Sequence, residues 1–336
     1  MRIRVLSLVT LLATSCTPGP EGRIITVTGD IQPGEMGVTL EHEHILTDIY
    51  RKEDNLPESY SAEEALSRII PQLEKAKAHG VKTLVECTPA FVGRDVKLLR
   101  ELSARTGLQI LTNTGYYGAQ NNRFIPEQVF LKPADELAAE WIAEFQNGIE
   151  GTGIKPGFIK IGVDRKALSE FHATLARAAA LTHKATGLTI MAHSGPAIAA
   201  FQELEILKEE GVSPEAFIWT HATDEKDSTR LVEAARMGAW ISADKYGWDE
   251  KLITRYPRLL KMMKEEGLLN KILISHDAGW VDPGQPDLPF KPYTLVFEKL
   301  IPDLKTLGFT DSDIEQLLVK NPAEAFAVKK RLLRNN

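Results

Sequence analysis

The chain has 336 residues, of which 43% are hydrophobic and 26% are charged, as is typical of a globular protein with a sizeable core. The net charge of −6 disfavours a nucleic-acid partner, because phosphate binding usually needs a basic face. Two cysteines, Cys16 and Cys87, are too few for a disulfide scaffold, and no stretch approaches the roughly 20 apolar residues of a membrane span.

Residues 1–15 have the features of a secretory signal peptide. Two arginines precede a short apolar run at 5–13, and small residues follow it. The position of Cys16 resembles that of the lipidated cysteine of bacterial lipoproteins, although Ala13 replaces the usual leucine. We therefore expect export from the bacterial cytoplasm and a lipid anchor at Cys16, facing the periplasm or the cell exterior, as the only membrane contact. Cleavage to a freely secreted protein is the alternative.

Residues 16–22 are rich in Pro and Gly and are predicted to form an unpacked tether. From residue 23 to residue 336 the chain alternates apolar strand candidates with amphipathic helical segments. The predicted strands are 37–44, 82–88, 109–117, 157–163, 188–193, 216–221, 239–244 and 271–277. Predicted helices include 62–78, 134–147, 168–186 and 226–237. Eight strand–helix units without a linker predict one α/β domain, a (β/α)8 TIM barrel, over an open doubly wound sheet.

Motifs of other α/β enzymes are absent from the sequence. No strand–helix turn carries the glycine-rich dinucleotide fingerprint, and this absence disfavours a Rossmann fold. There is also no P-loop and no Gly-x-Ser-x-Gly elbow.

Four of the eight histidines lie at the carboxyl ends of predicted strands, the face of a barrel that holds active sites. These are His42, His44, His193 and His221. Residues i and i+2 of a strand point to the same side, so both imidazoles of the first pair can enter the barrel together. Imidazole is a common metal ligand, and the four together predict a metal site. His79, His172 and His183 fall in predicted helices and are expected on solvated faces.

Lys160 lies in a strand between two isoleucines. Strand alternation places it on the same face as Phe158 and Gly162. A buried ammonium must be paired or neutralised, so an inward Lys160 predicts a functional amine. A neutral lysine can react with carbon dioxide to give a carbamate, an anionic oxygen donor that can bridge two cations. Snorkelling to the surface or pairing with a carboxylate is the alternative.

Asp277 ends the last predicted strand. Alternation places it on one face with Ser275, while His276 points to the other. Asp277 is therefore the expected site residue at this strand end, and capping of the following segment is its alternative role.

This set of residues resembles the binuclear metal site of the phosphotriesterase family of the amidohydrolase superfamily. The segments GVTLEHEH, GFIKIGVD, IMAHSG and ILISHDAGW occur in the family's order, and the resemblance covers nearly the whole chain after residue 22. It implies that His42, His44 and Asp277 bind the more buried metal and that His193 and His221 bind the more exposed one. Lys160, as a carbamate, would bridge the two.

The resemblance implies a hydrolase in which a hydroxide that bridges two divalent metal ions attacks an ester-type bond. Asp277 would accept the proton, and Asp224 matches the family's proton-relay aspartate, although it could instead cap the helix predicted near residue 226. Zinc is the expected metal, manganese and cobalt are alternatives, and carbon dioxide supplies the carbamate. The expected partner is a small-molecule substrate, and a homodimer is implied only by analogy with the family.

The sequence says less about the substrate. Tyr117 stands where lactonase-type members have a tyrosine, and Lys245 stands where members commonly have His or Arg. Trp280 lies in a long loop expected to shape the pocket. Aromatic packing for Tyr117 and Trp280, and solvation for Lys245, are the alternatives. We expect a carboxylic ester or lactone as substrate, with a phosphotriester or an N-acyl amide as alternatives. A catalytically silent, exported metal-containing binding protein is the alternative from another class.

Overall fold

The computed structural model describes residues 22–50 and 60–334. The predicted signal peptide, the lipidation site Cys16 and all of the predicted tether except Gly22 lie outside these residues, so export and lipidation stay predictions. No helix in the described part of the chain is long and apolar enough to cross a bilayer.

Eight parallel strand positions form the predicted barrel, and a short antiparallel hairpin precedes them. The hairpin strands are β1 Ile24–Thr26 and β2 Gly29–Ile31. The barrel strands are β3 Thr39–Glu43, β4 Thr83–Glu86, β5 Gln109–Leu111, β6 Asn113–Thr114, β7 Phe158–Gly162, β8 Ile190–His193, β9 Phe217–Thr220, β10 Trp240–Ala243 and β11 Ile272–Ile274. β5 and β6 are one strand position interrupted at Thr112. The predicted (β/α)8 TIM barrel is confirmed.

Helices follow the strands as the βα repeat requires. They are α1 Ala62–Ala78, α2 Val96–Thr106, α3 Ala134–Asn147, α4 Glu170–Thr186, α5 Ala197–Glu209, α6 Ser228–Met237, α7 Glu250–Glu265, α8 Ile301–Thr306, α9 Asp311–Glu315 and α10 Asn321–Phe326. Five-residue π turns at Val296–Leu300 and Gln316–Lys320 run into α8 and α10. The predicted helices 62–78 and 134–147 match α1 and α3, and the other two begin two residues later than predicted.

The barrel closes between its first and last strands through backbone contacts beyond the strand ends. The N–H of His44 donates to the carbonyl of Ala278 at 2.8 Å, and that of Asp277 donates to the carbonyl of His42 at 3.0 Å. This closure brings the ends of β3 and β11, with their metal-ligand side chains, to the same edge.

A buried carboxylate reinforces the closure. Glu43, between the two strand-end histidines, accepts hydrogen bonds from Ser275 Oγ at 2.7 Å, from His276 Nδ1 at 2.7 Å and from the backbone N–H of Ala278 at 2.8 Å. Charge-assisted bonds of this kind are roughly twice as strong as neutral ones. Glu43 thus holds the backbone on both sides of Asp277.

The barrel interior beneath the predicted site is mainly apolar. Phe158, Val85, Met191 and Leu273 are fully buried there, and Phe326 of α10 packs edge-on against Phe158 with ring centroids 5.5 Å apart. A second apolar layer lies between the strands and the surrounding helices. The predicted ligand residues therefore have a mainly apolar layer beneath them. The buried carboxylate of Glu41, which accepts from Ser242 Oγ at 2.6 Å, is an exception.

The expectation that His172 and His183 are solvated is wrong. Both are buried, because each imidazole satisfies backbone groups that the packing of α4 would otherwise leave unpaired. His172 Nε2 bonds the carbonyl of Gly118 at 3.0 Å. His183 Nδ1 bonds the carbonyl of Leu188 at 2.7 Å, and its Nε2 accepts the N–H of Arg331 at 2.9 Å.

Glu203 of α5 is an acid buried beneath the end of β8. One of its oxygens bonds the Ser194 hydroxyl, and the other has no partner among the described residues. Burial raises the pKa of Glu203 from its ordinary value of 4.5 to about 8. The folded state therefore holds a proton that the unfolded state has lost, so this group lowers stability progressively as the pH rises from about 4.5 to about 8.

We expect Glu203→Gln to remove this pH dependence while keeping the contact with Ser194. The free energy of unfolding of the variant, relative to the wild type, should rise by about 3 kcal/mol between about pH 5.5 and about pH 8. Urea titration of both proteins across this range measures the difference. Glu205→Gln, an exposed residue of the same helix, is the matched control. Parallel stability curves for Glu203→Gln and the wild type would contradict the prediction.

Candidate active site

A cavity of about 810 Å³ opens at the carboxyl ends of the barrel strands. All six predicted metal-ligand residues line it. They are His42, His44, Lys160, His193, His221 and Asp277. Tyr117, Lys245 and Trp280, the predicted substrate residues, also line it.

Two imidazole nitrogens lie close to one oxygen of Asp277. Asp277 Oδ1 lies 3.1 Å from His44 Nε2 and 3.4 Å from His42 Nε2. Asp277 Oδ1 has no hydrogen-bond partner within the described residues, although it is buried. A buried carboxylate oxygen facing two imidazole nitrogens is a suitable set of donors for one divalent cation.

The other two histidines continue the cluster next to the second oxygen of Asp277. His221 Nε2 lies 4.0 Å from Asp277 Oδ2, and the His193 and His221 rings meet edge-on with centroids 4.4 Å apart. The rings of His42 and His221 are stacked at 5.1 Å. The four imidazoles and Asp277 therefore form one contiguous group of possible metal ligands.

Lys160 projects from β7 into the same cavity. Its side chain is only 2% exposed, and its Nζ has no hydrogen-bond partner in the described parts of the chain. An unpaired buried ammonium is costly. Lys160 therefore lies where a buried amine faces the predicted ligand residues.

Asp244, at the end of β10, positions two of the imidazoles. Its carboxylate accepts from His42 Nδ1 at 3.0 Å, from His221 Nδ1 at 2.8 Å and from Ser242 Oγ at 2.8 Å. Burial alone would raise the pKa of Asp244, but His221 and His42 lower it well below its usual range. An ionised Asp244 fixes the tautomer in which each Nε2 can bind a metal.

His44 has a different partner, since its Nδ1 lies 2.8 Å from Thr88 Oγ1.

Burial, with a contribution from Lys160, lowers the pKa of His42 to about 3. Burial lowers the pKa of His193 well below its usual range, and His221, Lys160 and Lys245 add to the effect. Both imidazoles are therefore neutral near pH 7, the form that binds metal ions.

The strands β9 and β11 end before His221 and Asp277, so the predicted strands 216–221 and 271–277 are too long at their carboxyl ends. His221 and Asp277 have positive φ values, 58° and 51°, which a strand cannot accommodate. Asp277 is held in this conformation by two indoles, because Trp280 Nε1 and Trp248 Nε1 donate to its carbonyl at 2.7 and 3.1 Å. The close approach of the Trp280 loop also needs Gly279, where a Cβ would lie 1.8 Å from the His44 carbonyl oxygen.

Two predicted substrate residues are aromatic groups against the histidines. The Tyr117 hydroxyl lies 3.5 Å from His193 Nε2, and its ring packs over Gly162, where a Cβ would lie 2.4 Å from the ring. Trp280 packs against His44 with ring centroids 4.2 Å apart. Both rings form part of the cavity wall beside the donors.

The third predicted substrate residue, Lys245, pairs with Asp224. Lys245 Nζ lies 2.7 Å from Asp224 Oδ2, which Arg165 also contacts. The alternative role of Asp224 as a helix cap is excluded, because Asp227 caps α6 through the N–H of Thr229.

Sequence reasoning did not identify Asp244, Glu43 or Thr88 as supporting residues. Alternation along β10 places Ser242 and Asp244 on one face, so a carboxylate at that strand end was a detectable signal for Asp244. Glu43 faces away from the metal ligands, and Thr88 is a common residue type. Nothing in the sequence pattern distinguishes either of them.

Comparison with known proteins matches residues 22–326 to the phosphotriesterase family. The chain belongs to the phosphotriesterase family. Members of this family are binuclear metal hydrolases, so the chain is a hydrolase of that family. The His and Asp groups described above could bind its metal ions.

The relatives that match this chain are named for activities on different substrates. The aryldialkylphosphatase of Saccharolobus solfataricus is 30% identical over 88% of this chain and 97% of its own length. Human N-acetyltaurine hydrolase is 24% identical over 92% of this chain and 99% of its own. A mutant of a phosphotriesterase-like lactonase from Deinococcus radiodurans matches in structure with a TM-score of 0.81 and 28% identity, over 90% of this chain and 99% of its own.

We expect Asp244→Asn to weaken metal binding about 10- to 100-fold, because an amide cannot accept both imidazole N–H groups as an ion does. Competition with a chromogenic chelator measures the metal affinity. Ser242→Ala, which removes one donor to Asp244, should cause a smaller loss. Asp135→Asn, at an exposed position on α3, is the control. Unchanged affinity in Asp244→Asn would show that Asp244 does not position the metal ligands.

Proposed function

We propose that this family member is a divalent-metal-dependent hydrolase of carboxylic esters or lactones. The observation that carries the proposal is the position of Lys160. Its buried amine, without a partner among the described residues, lies in one cavity with four imidazoles and Asp277. This donor set suits a binuclear centre and has no apparent structural role without one.

In this proposal His42, His44 and Asp277 hold one cation, His193 and His221 hold the second, and Lys160 contributes as a carbamate. Zinc is the proposed metal, with manganese and cobalt as alternatives. Two bound cations would lower the pKa of water towards neutrality and polarise an acyl oxygen.

The side chains of the protein then transfer protons and contact the substrate. Asp277 would accept the proton that the attacking water loses and deliver it to the oxygen of the cleaved C–O bond, which becomes a hydroxyl group. The new carboxylic acid then ionises, and Asp224, which contacts the cavity residue Lys245, is the proposed relay that carries this second proton to solvent. Tyr117 and Trp280 enclose the acyl group beside the imidazoles.

Tyr117 supports an ester or lactone over a phosphotriester, since it stands where the lactonase-type members of the family have a tyrosine. The structural similarity to a phosphotriesterase-like lactonase agrees with this choice. The names of the aryldialkylphosphatase and N-acetyltaurine hydrolase relatives keep phosphotriesters and amides as the alternatives. Because every ligand type is present, a silent binding protein is disfavoured.

Activity of the metal-loaded protein on matched lactones, aryl esters, N-acyl amino acids and organophosphates tests the proposal. We expect kcat/KM for a lactone or an aryl ester to exceed that for an organophosphate by about a hundredfold or more. Metal analysis of the same sample supplies the stoichiometry. Two bound metals without turnover of any compound would instead support the binding protein, and a preference for amides or organophosphates would reassign the substrate.

We expect Lys160→Ala to lower kcat/KM by about a thousandfold or more, because the anionic donor between the cations is lost. Added acetate or propionate should restore part of the activity by occupying the space of the carbamate. Metal content, measured in parallel, should fall below that of the wild type and recover with the carboxylate. Full activity of the variant without any additive would refute the carbamate.

A further inference from the structure

The cavity wall outside the proposed metal centre carries more cations than carboxylates. Outside the proposed metal centre, four cationic side chains and one carboxylate line it among the described residues. These are Arg123, Arg165, Lys166 and Lys245 against Asp164, while Asp224 lies behind the wall in contact with Lys245. The whole chain has the opposite balance, with a net charge of −6. The positive excess is therefore a local property of the cavity.

Asp224 is shared by two of these cations. Its Oδ2 accepts a hydrogen bond from Lys245 Nζ at 2.7 Å and another from Arg165 Nη1. No other carboxylate in the described parts of the chain forms an ion pair with either cation. Since one carboxylate carries one negative charge, this group of three has an uncompensated positive charge.

Lys245 is the deeper of the two cations. Its side chain is 12% exposed, against 56% for Arg165. Its position is fixed by the chain, because it directly follows Asp244 and its backbone N–H donates to the Tyr256 hydroxyl at 2.6 Å. A charge inside a concave site is screened less than a surface charge, so Lys245 attracts an anion more strongly than Arg165 does.

A further cation, Lys291, lies beside the wall and contacts one of its lining residues, Trp248. Lys291 Nζ lies 3.6 Å from the centroid of the Trp248 ring, and Lys245 Nζ lies 5.5 Å from the same centroid. The indole N–H of Trp248 donates to the carbonyl of Asp277. The cationic wall is thus attached to the backbone that carries a proposed metal ligand.

We infer that the substrate carries an anionic group, a carboxylate or a phosphate, remote from the bond that is cleaved, and that Lys245 with Arg165 binds this group. The inference rests on the proposed ester or lactone hydrolysis. Asp224 holds the two cations in position for the anion. A lysine ammonium is a point charge without the planar fork of arginine, so the site suits either anion.

Three butyrolactones that differ only in a remote amide, carboxylate or phosphate group test the inference. The metal-loaded wild type should prefer the anionic lactones over the amide by about tenfold or more in kcat/KM. Lys245→Met should reduce this preference by about tenfold, mainly through KM, and added salt should also reduce it. The anionic lactone whose kcat/KM falls more in Lys245→Met identifies the anion that the site prefers. Lys251→Met, at an exposed position on α7, should leave the preference unchanged.

Equal turnover of neutral and anionic lactones, with the same ratio in Lys245→Met, would overturn the inference and leave ester hydrolysis standing. A binding measurement tests the anion site independently of hydrolysis. Calorimetry compares glutarate with monomethyl glutarate on the metal-loaded protein, and Lys245→Met should weaken glutarate about tenfold more than its ester. If no lactone turns over but this difference is found, the proposed hydrolysis fails and the anion site stands. Glutarate binding that does not depend on Lys245 would overturn the anion site.

Discussion

The contact between the first and last barrel strands decides whether this protein has a site at all. His42 and His44 come from one end of the chain and Asp277 from the other, so only barrel closure brings them together. Glu43 holds that closure with a buried carboxylate that bonds the residues on both sides of Asp277. A residue that points away from the cations therefore determines the geometry of the ligands. Placing a charge in this position is favourable only because each of its oxygens is hydrogen-bonded.

A second buried carboxylate, Asp244, also positions predicted ligand residues. Asp244 is an anion fully shielded from solvent, and it bonds the Nδ1 atoms of His42 and His221. Each bond turns the opposite ring nitrogen towards the cavity. Burial lowers the pKa values of His42 and His193, which keeps their imidazoles uncharged. The site therefore combines neutral imidazole donors with the buried amine of Lys160.

Charge is distributed unevenly between the bulk of the chain and the cavity. Acidic residues outnumber basic ones overall, yet two cations of the cavity wall, Arg165 and Lys245, converge on a single Asp224. The proposed metal centre would be the reactive part of the site. At the wall, Lys245 departs from the His or Arg that the family resemblance implies at this position. Selectivity within this family is thus expected from loops and strand ends, while the barrel beneath them stays the same.

The sequence by itself determined the barrel, because strand and helix periodicities depend on local residue patterns, and α1 and α3 match their predicted bounds. It also identified the candidate ligands that the cavity brings together, because His-x-His and an isolated lysine in an apolar strand are locally unusual. Only the tertiary structure revealed that His172 and His183 are buried, that strands end before His221 and Asp277, and that Glu43 and Asp244 orient the ligands. These features arise from contacts between residues up to 235 positions apart. Alternation along a single strand carries no information about which distant group will face a given side chain, so such partners become known only when the barrel is closed.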